Sequence, residues 1–195
     1  MGSLLFSFLL CSNHAAAQSL EAGVHLAASQ WSEFDGTDLG LGGRLTWKPS
    51  AMIGVDADLT WYPSEFPGDD GVAFSGSRFE GLFGVTVGPQ MNRIRPFVKA
   101  AAGFLQSSEA PEPFACIAIF PPPIECVMAA GETLPAYEIG GGVSIATTGS
   151  TFLRIDVADR ILKYPGPAFG EDREVRDEGF FGHALRFTIG GGVRF

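Results

Sequence analysis

Side chains able to do chemistry are sparse in this chain and poorly spaced for it. Of three histidines, His14 follows an N-terminal apolar run, His25 sits in an alternating apolar–polar segment and His183 lies near the C-terminus. Nucleophilic catalysis needs a Ser or Cys within hydrogen-bond reach of a base, and a third group orienting that base. His183 is followed by Ala184 and Leu185, so no serine stands beside it in the sequence, and His25 reads as a hydrogen-bonded interior residue. No catalytic residue is assigned on this basis. Cys116 and Cys126 have no histidine near them and make a poor metal site. The acidic residues fall in runs such as Glu65, Asp69, Asp70 and Glu171, Asp172, Glu174, without the spacing of a calcium loop. They read as a solvated rim, so no metal and no cofactor is expected. A net charge of −9 with no basic cluster argues against nucleic acid as a partner.

The elements that must position these residues begin after an export signal. Leu4 to Leu10 form a short apolar core, followed by polar Ser12, Asn13 and His14 and then Ala15-Ala16-Ala17. This is the apolar-core and small-residue pattern of a secretory signal, with cleavage expected between Ala17 and Gln18. No Lys or Arg precedes the apolar run, a departure from the usual pattern. Residues 1–17 are thus expected to be a signal peptide and 18–195 the mature domain. In an oxidising compartment the remaining even pair, Cys116 and Cys126, is expected to form a disulfide that closes a Pro-rich loop.

The mature chain alternates with period 2, not 3.6. Eight segments stand out, at 19–30, 38–48, 51–61, 78–88, 94–105, 135–146, 151–161 and 182–195. Most match the roughly 9–11 residues that a tilted strand needs to cross a bilayer. The connections alternate between short turns and long loops, the signature of a transmembrane barrel with both chain ends on the short-turn side. No run of about 18 apolar residues exists that could form a membrane helix.

The decisive feature is which face carries charge. In the third segment Ile53, Val55, Ala57, Leu59 and Trp61 share one face, and Gly54, Asp56, Asp58 and Thr60 the other. The eighth sets Leu185, Phe187, Ile189, Val193 and Phe195 against Arg186, Thr188, Gly190 and Arg194. A soluble barrel would place its charges outside, whereas here the glycine-rich, charged face is the one that suits a small closed interior. The central interior set is Arg44, Arg78, Lys99, Arg154 and Arg186 with Asp56, Asp58, Glu80, Glu138 and Asp156, near balance in charge. Glu21, Arg95, Arg160 and Arg194 share this parity but lie nearer segment ends, where water is expected to reach them. Asp159 is the one charge of opposite parity. Trp47 and Phe195 at one end, and Trp61, Phe79, Phe104 and Tyr137 at the other, fall where interfacial aromatic belts are expected.

With these residues in place, the chain resembles the small eight-stranded outer-membrane β-barrels, the OmpA-like transmembrane domain family. The likeness runs over the whole mature chain, including RPFVKAAAGF (Arg95 to Phe104) and LRIDVADRI (Leu153 to Ile161). It is most specific in the last strand, HALRFTIGGGVRF, where Thr188, Gly190, Val193 and Phe195 fit the spacing of a C-terminal assembly signal. The resemblance implies an all-β, eight-stranded antiparallel up-and-down barrel in the bacterial outer membrane, recognised by the barrel assembly machinery. With the sequence ending at Phe195, no peptidoglycan-binding domain is expected to follow the barrel. The Pro-rich loop is a departure from the family.

The function expected is a structural or surface-interaction role, without catalysis, through long acidic extracellular loops over a salt-bridged interior. The partners are outer-membrane lipid and a surface partner at the loops, where Ile117 to Phe120 and the three prolines after it form an apolar tract. A monomer is expected. The alternatives are a small porin-like, ion-conducting protein and, less favoured, a lipid A-modifying enzyme.

Overall fold

The computed structural model describes residues 19–32, 37–63, 76–108, 131–147, 149–165, 168–169, 175–176 and 179–195. The expected leader with its expected cleavage between Ala17 and Gln18, and the expected Cys116–Cys126 pairing, lie outside these residues. Eight long strands, β1 (Ser19–Trp31), β2 (Thr37–Lys48), β3 (Ile53–Tyr62), β4 (Arg78–Val87), β5 (Ile94–Ser107), β6 (Thr133–Ala146), β7 (Thr151–Lys163) and β10 (Phe181–Arg194), form one closed barrel. Each pairs antiparallel with its neighbours, and β1 against β10 closes the ring from Glu21↔Arg194 to Trp31↔Ala184. A two-stranded ribbon, β8 (Ala168–Phe169) and β9 (Val175–Arg176), lies between β7 and β10. The period-2 pattern did not reveal this ribbon, because two-residue strands carry no periodicity. Among the described residues no helix is long and apolar enough to cross a membrane.

The short turns have local causes. Between β2 and β3, the Ile53 N–H donates to Ser50 Oγ at 3.1 Å. Before β5, Met91 and Ile94 exchange backbone hydrogen bonds of 2.8 and 2.9 Å around Asn92. Asn92 has φ 54°, a left-handed conformation that asparagine tolerates better than most side chains.

Outward residues are apolar and exposed: Val24, Leu26, Leu39, Leu41, Phe83, Val98, Ile139, Leu185 and Phe187 all face out. Open strand edges would leave backbone groups unsatisfied in hydrocarbon, so an apolar outer wall demands the closure seen here. Inward glycines admit rings into the narrow lumen. A Cβ on Gly42 would stand 2.5 Å from the His25 ring, and one on Gly40 2.7 Å from the Tyr62 ring.

The long strands reach further than the alternation read from sequence. Trp31, Tyr62, Leu134 and Leu162, expected in loops, are strand residues with buried side chains. Toward the long-loop end the pattern inverts. Gln30, Thr37, Gln106, Thr133 and Lys163 face out, while Trp31, Leu105, Leu134 and Leu162 face in and pack with Tyr164. That is the distribution of a soluble barrel.

Candidate functional site: the barrel interior

The inward face of each strand feeds one ionic network. Arg44 on β2 donates through Nε to Asp58 at 2.8 Å and through Nη1 to Asp156 at 2.7 Å. Arg154 on β7 reaches Asp56 at 2.8 Å and Asp156 at 3.0 Å. Thr188 Oγ1 on β10 also donates to Asp156, at 2.8 Å. Lys99 on β5 pairs with Glu138 on β6. Arg186 on β10 is the hub: it meets Asp58 at 3.0 Å, Glu80 at 3.3 Å and Glu138 at 2.9 Å, and donates to Thr60 Oγ1 at 2.7 Å. His25 joins from β1 by a 3.0 Å hydrogen bond to Thr60. Members of every long strand therefore meet across the lumen. A charge removed from water needs partners of this kind, because an isolated one costs several kcal/mol or about that order.

The structure differs from the sequence-based assignment at three points. Arg78 leaves the central set and pairs with Asp38 at 2.6 Å, a carboxylate not singled out although it shares the parity of Gly40 and Arg44. Arg160, expected within reach of water, is fully buried and pairs with Glu80 at 2.6 Å. Its guanidinium lies 4.5 Å from the centre of the Trp31 ring, so an aromatic lid shields it. Glu21, likewise buried, takes Lys48 at 2.6 Å and Arg194 at 2.6 Å, and buried Arg95 donates to the Met52 carbonyl at 3.0 Å. The strands extend past both ends of the central charge layer, so Glu21, Arg95 and Arg160 remain covered, whereas the Arg194 side chain is 35% exposed, within reach of water.

Among the described residues, two small cavities lie beside these groups. One of about 20 Å³ is lined by Arg44, Asp56, Asp58, Lys99 and Glu138. The other, about 10 Å³, is lined by Glu21, His25, Arg44 and Arg154. Each has room on the order of one water, and Arg44 stands between them. Among the described residues no group of His, Cys, Asp or Glu is arranged to hold a metal ion.

The residues of the assembly-signal spacing divide between the two faces. Thr188 is bound to Asp156 and Gly190 lies against His25, whereas Val193 and Phe195 are exposed on the outer wall. Trp47, Trp61, Phe79, Phe104 and Tyr137, expected in aromatic belts, also face outward. Phe79 and Phe104 come within 6.4 Å, centre to centre.

Neither a protein-family model nor a curated protein matches this sequence. Solved structures do. Neisserial surface protein A aligns with a TM-score of 0.55 at 13% identity, over 91% of this chain and 97% of that one. The N-terminal β-barrel domain of Pseudomonas aeruginosa OprF aligns with a TM-score of 0.51 at 11% identity, over 90% and 97%. The outer membrane protein OprG of the same organism gives 0.51 at 9% identity, over 91% and 95%. With its ring of eight antiparallel strands, apolar outside and ionic within, this chain has the fold of the small eight-stranded outer-membrane β-barrels.

Proposed function

We propose that this protein is an integral barrel of the bacterial outer membrane, exported through the periplasm, with a structural or surface-interaction role. The observation that carries the proposal is the inside-out wall. Leu26, Leu41, Phe83, Val98 and Phe187 face outward, while Asp58, Glu80, Glu138, Arg160 and Arg186 are buried in the lumen. In water the apolar wall would be an aggregating surface, whereas in lipid it is the natural exterior. The ion-paired lumen acts as a strut rather than a passage, since the cavities beside it are water-sized. Recognition then falls to the long loops, displayed on a rigid scaffold. The chain works as a monomer, and its partners are outer-membrane lipid, the assembly machinery and a surface partner at the loops.

The test is fractionation of cells making the full chain, with gels run before and after boiling. The expected result is an outer-membrane band whose migration changes on boiling. A freely soluble or inner-membrane protein would overturn the reading. Deleting residues 117–125 while the barrel still folds should lower binding of such cells to a host surface, and unchanged binding would remove that loop from the role. In planar bilayers the refolded protein should pass no steady current; a reproducible channel would favour the porin-like alternative.

A further inference from the structure

One lumen arginine differs from the rest. Arg44, Arg78, Arg154, Arg160 and Arg186 each have a carboxylate oxygen within 3.0 Å. Arg95, near the start of β5, does not. It is 2% exposed, and among the described residues its hydrogen bond is the 3.0 Å contact of Nη2 with the Met52 carbonyl. Its Nε is buried without a partner. A neutral carbonyl leaves the guanidinium charge uncompensated, and an unpaired buried charge is costly. A buried donor of this kind calls for an acceptor.

Arg95 lies at the short-turn mouth of the barrel, because Met52 belongs to the exposed turn between β2 and β3. Lys48 ends β2 and Arg194 ends β10 at the same mouth. The charges of Arg95 and Arg194 repel each other, and both repel Lys48. The two carboxylates that attract Arg95 are Glu21 and Asp56, and each is engaged elsewhere. Glu21 Oε1 takes both Lys48 and Arg194 at 2.6 Å, and Asp56 Oδ2 takes Arg154 at 2.8 Å. Arg93 is exposed on the adjoining turn. Among the described residues the mouth therefore carries a surplus of positive charge.

We propose that this mouth binds a phosphate-class oxyanion, with Arg95 as its principal ligand and Arg194 as the second. The chemistry follows from the donors. A guanidinium presents its N–H groups in a planar fork that matches two oxygens of a phosphate. Arg95 keeps donors for that fork, since Nη2 alone is engaged, and by a neutral acceptor. Arg194 offers a partly exposed guanidinium at the rim. Inward parity selects the source. These cations face the lumen and not the outer wall, so the ligand is a dissolved phosphate or phosphomonoester entering from the aqueous side. It supplies the anionic partner that Arg95 lacks and ties β5 to β10 across the mouth. The site needs only the closed barrel; with the long loops outside, it opens to the periplasm.

The test uses the full chain refolded in maltoside micelles, with boiling-dependent gel migration as the check on folding. Inorganic phosphate, titrated at fixed ionic strength against chloride, should bind saturably at a single site by calorimetry. It should also shift the Arg95 Nε–H resonance of the wild type, a readout that decides the matter even where a variant does not fold. Arg95→Gln should weaken binding at least about 10-fold, the scale of a hydrogen bond to a charged group. Arg194→Gln should weaken it about 3-fold, as a partly exposed charge does. Lys163→Gln, at the opposite end, should leave it unchanged. No saturable binding, or equal binding by Arg95→Gln, would overturn the proposal and leave a water shared by Arg95 Nε and Asp56 Oδ1 to satisfy both buried atoms. In vesicles containing phosphatidylglycerol, binding of free phosphate that persists identifies the dissolved oxyanion as ligand. An Arg95 resonance already shifted there, with free phosphate no longer binding, would keep the phosphate chemistry and overturn the source in favour of a lipid headgroup.

Discussion

The middle of the lumen and its long-loop end are filled by opposite means. In the middle, Arg186, Arg44 and Arg154 cross-link Asp56, Asp58, Glu80, Glu138 and Asp156. At the long-loop end Leu105, Leu134, Leu162, Trp31 and Tyr164 close an apolar core, and Tyr164 stacks on Phe180 at 4.8 Å. The outer wall changes in step, from Phe187 and Leu26 in the middle to Gln30, Thr133 and Lys163 beyond. The proposed membrane setting explains the exchange. Where lipid surrounds the barrel, the outer face can be apolar and the small interior holds paired charge. Where water surrounds it, burial of apolar side chains inside is favoured again, at roughly 25 cal/mol per Å². The boundary between the two regimes is thus written on both faces of the same strands.

The largest effect should come from breaking the ionic middle. Arg186→Met strands parts of three carboxylates and should cost about 3–5 kcal/mol, the expected range for removing one partner of a buried pair. Urea titration of folded protein in lipid vesicles, read by boiling-dependent migration, measures it. A loss below about 1 kcal/mol would mean the lumen relaxes or hydrates freely. In the apolar cap, Leu162→Ala should cost about 2–5 kcal/mol by leaving a cavity. The same titration applies, and a negligible change would show that the cap is not a packed core.

The outer wall sharpens the comparison further. Phe187→Arg faces hydrocarbon and should cost about 2–4 kcal/mol, whereas Thr133→Arg faces the water-side band and should cost under about 1 kcal/mol. Equal penalties at the two sites would erase the boundary. The smallest effect expected is at the rim of the charged layer. Lys48→Met leaves Glu21 its contact with Arg194, so the loss should be about 1 kcal/mol or less, being one hydrogen bond to a charged group with a substitute at hand. A loss as large as that of Arg186→Met would show that Lys48 belongs with the central layer.

Local pattern was enough to read the strands. A side chain's face in a strand depends only on odd or even position, so Asp56 and Asp58 against Val55 and Ala57 announced an inverted barrel without any distant information. The inward parity of Arg44, Arg154, Asp156 and Arg186 was legible for the same reason. Extensions such as Leu134 and Leu162 were not, since the alternation there switches sign and resembles the end of a strand.

What the sequence alone determined was therefore parity: which residues share a wall, and that charge and glycine share the inner one. Only the closed sheet decided partners. Arg78 finds Asp38 rather than a central carboxylate, Arg160 finds Glu80, and Arg186 finds Asp58 and Glu138, because strand register and barrel closure bring together residues from distant parts of the chain. Parity is a property of each strand by itself, whereas a contact across strands depends on the stagger of the whole ring, which no single segment encodes.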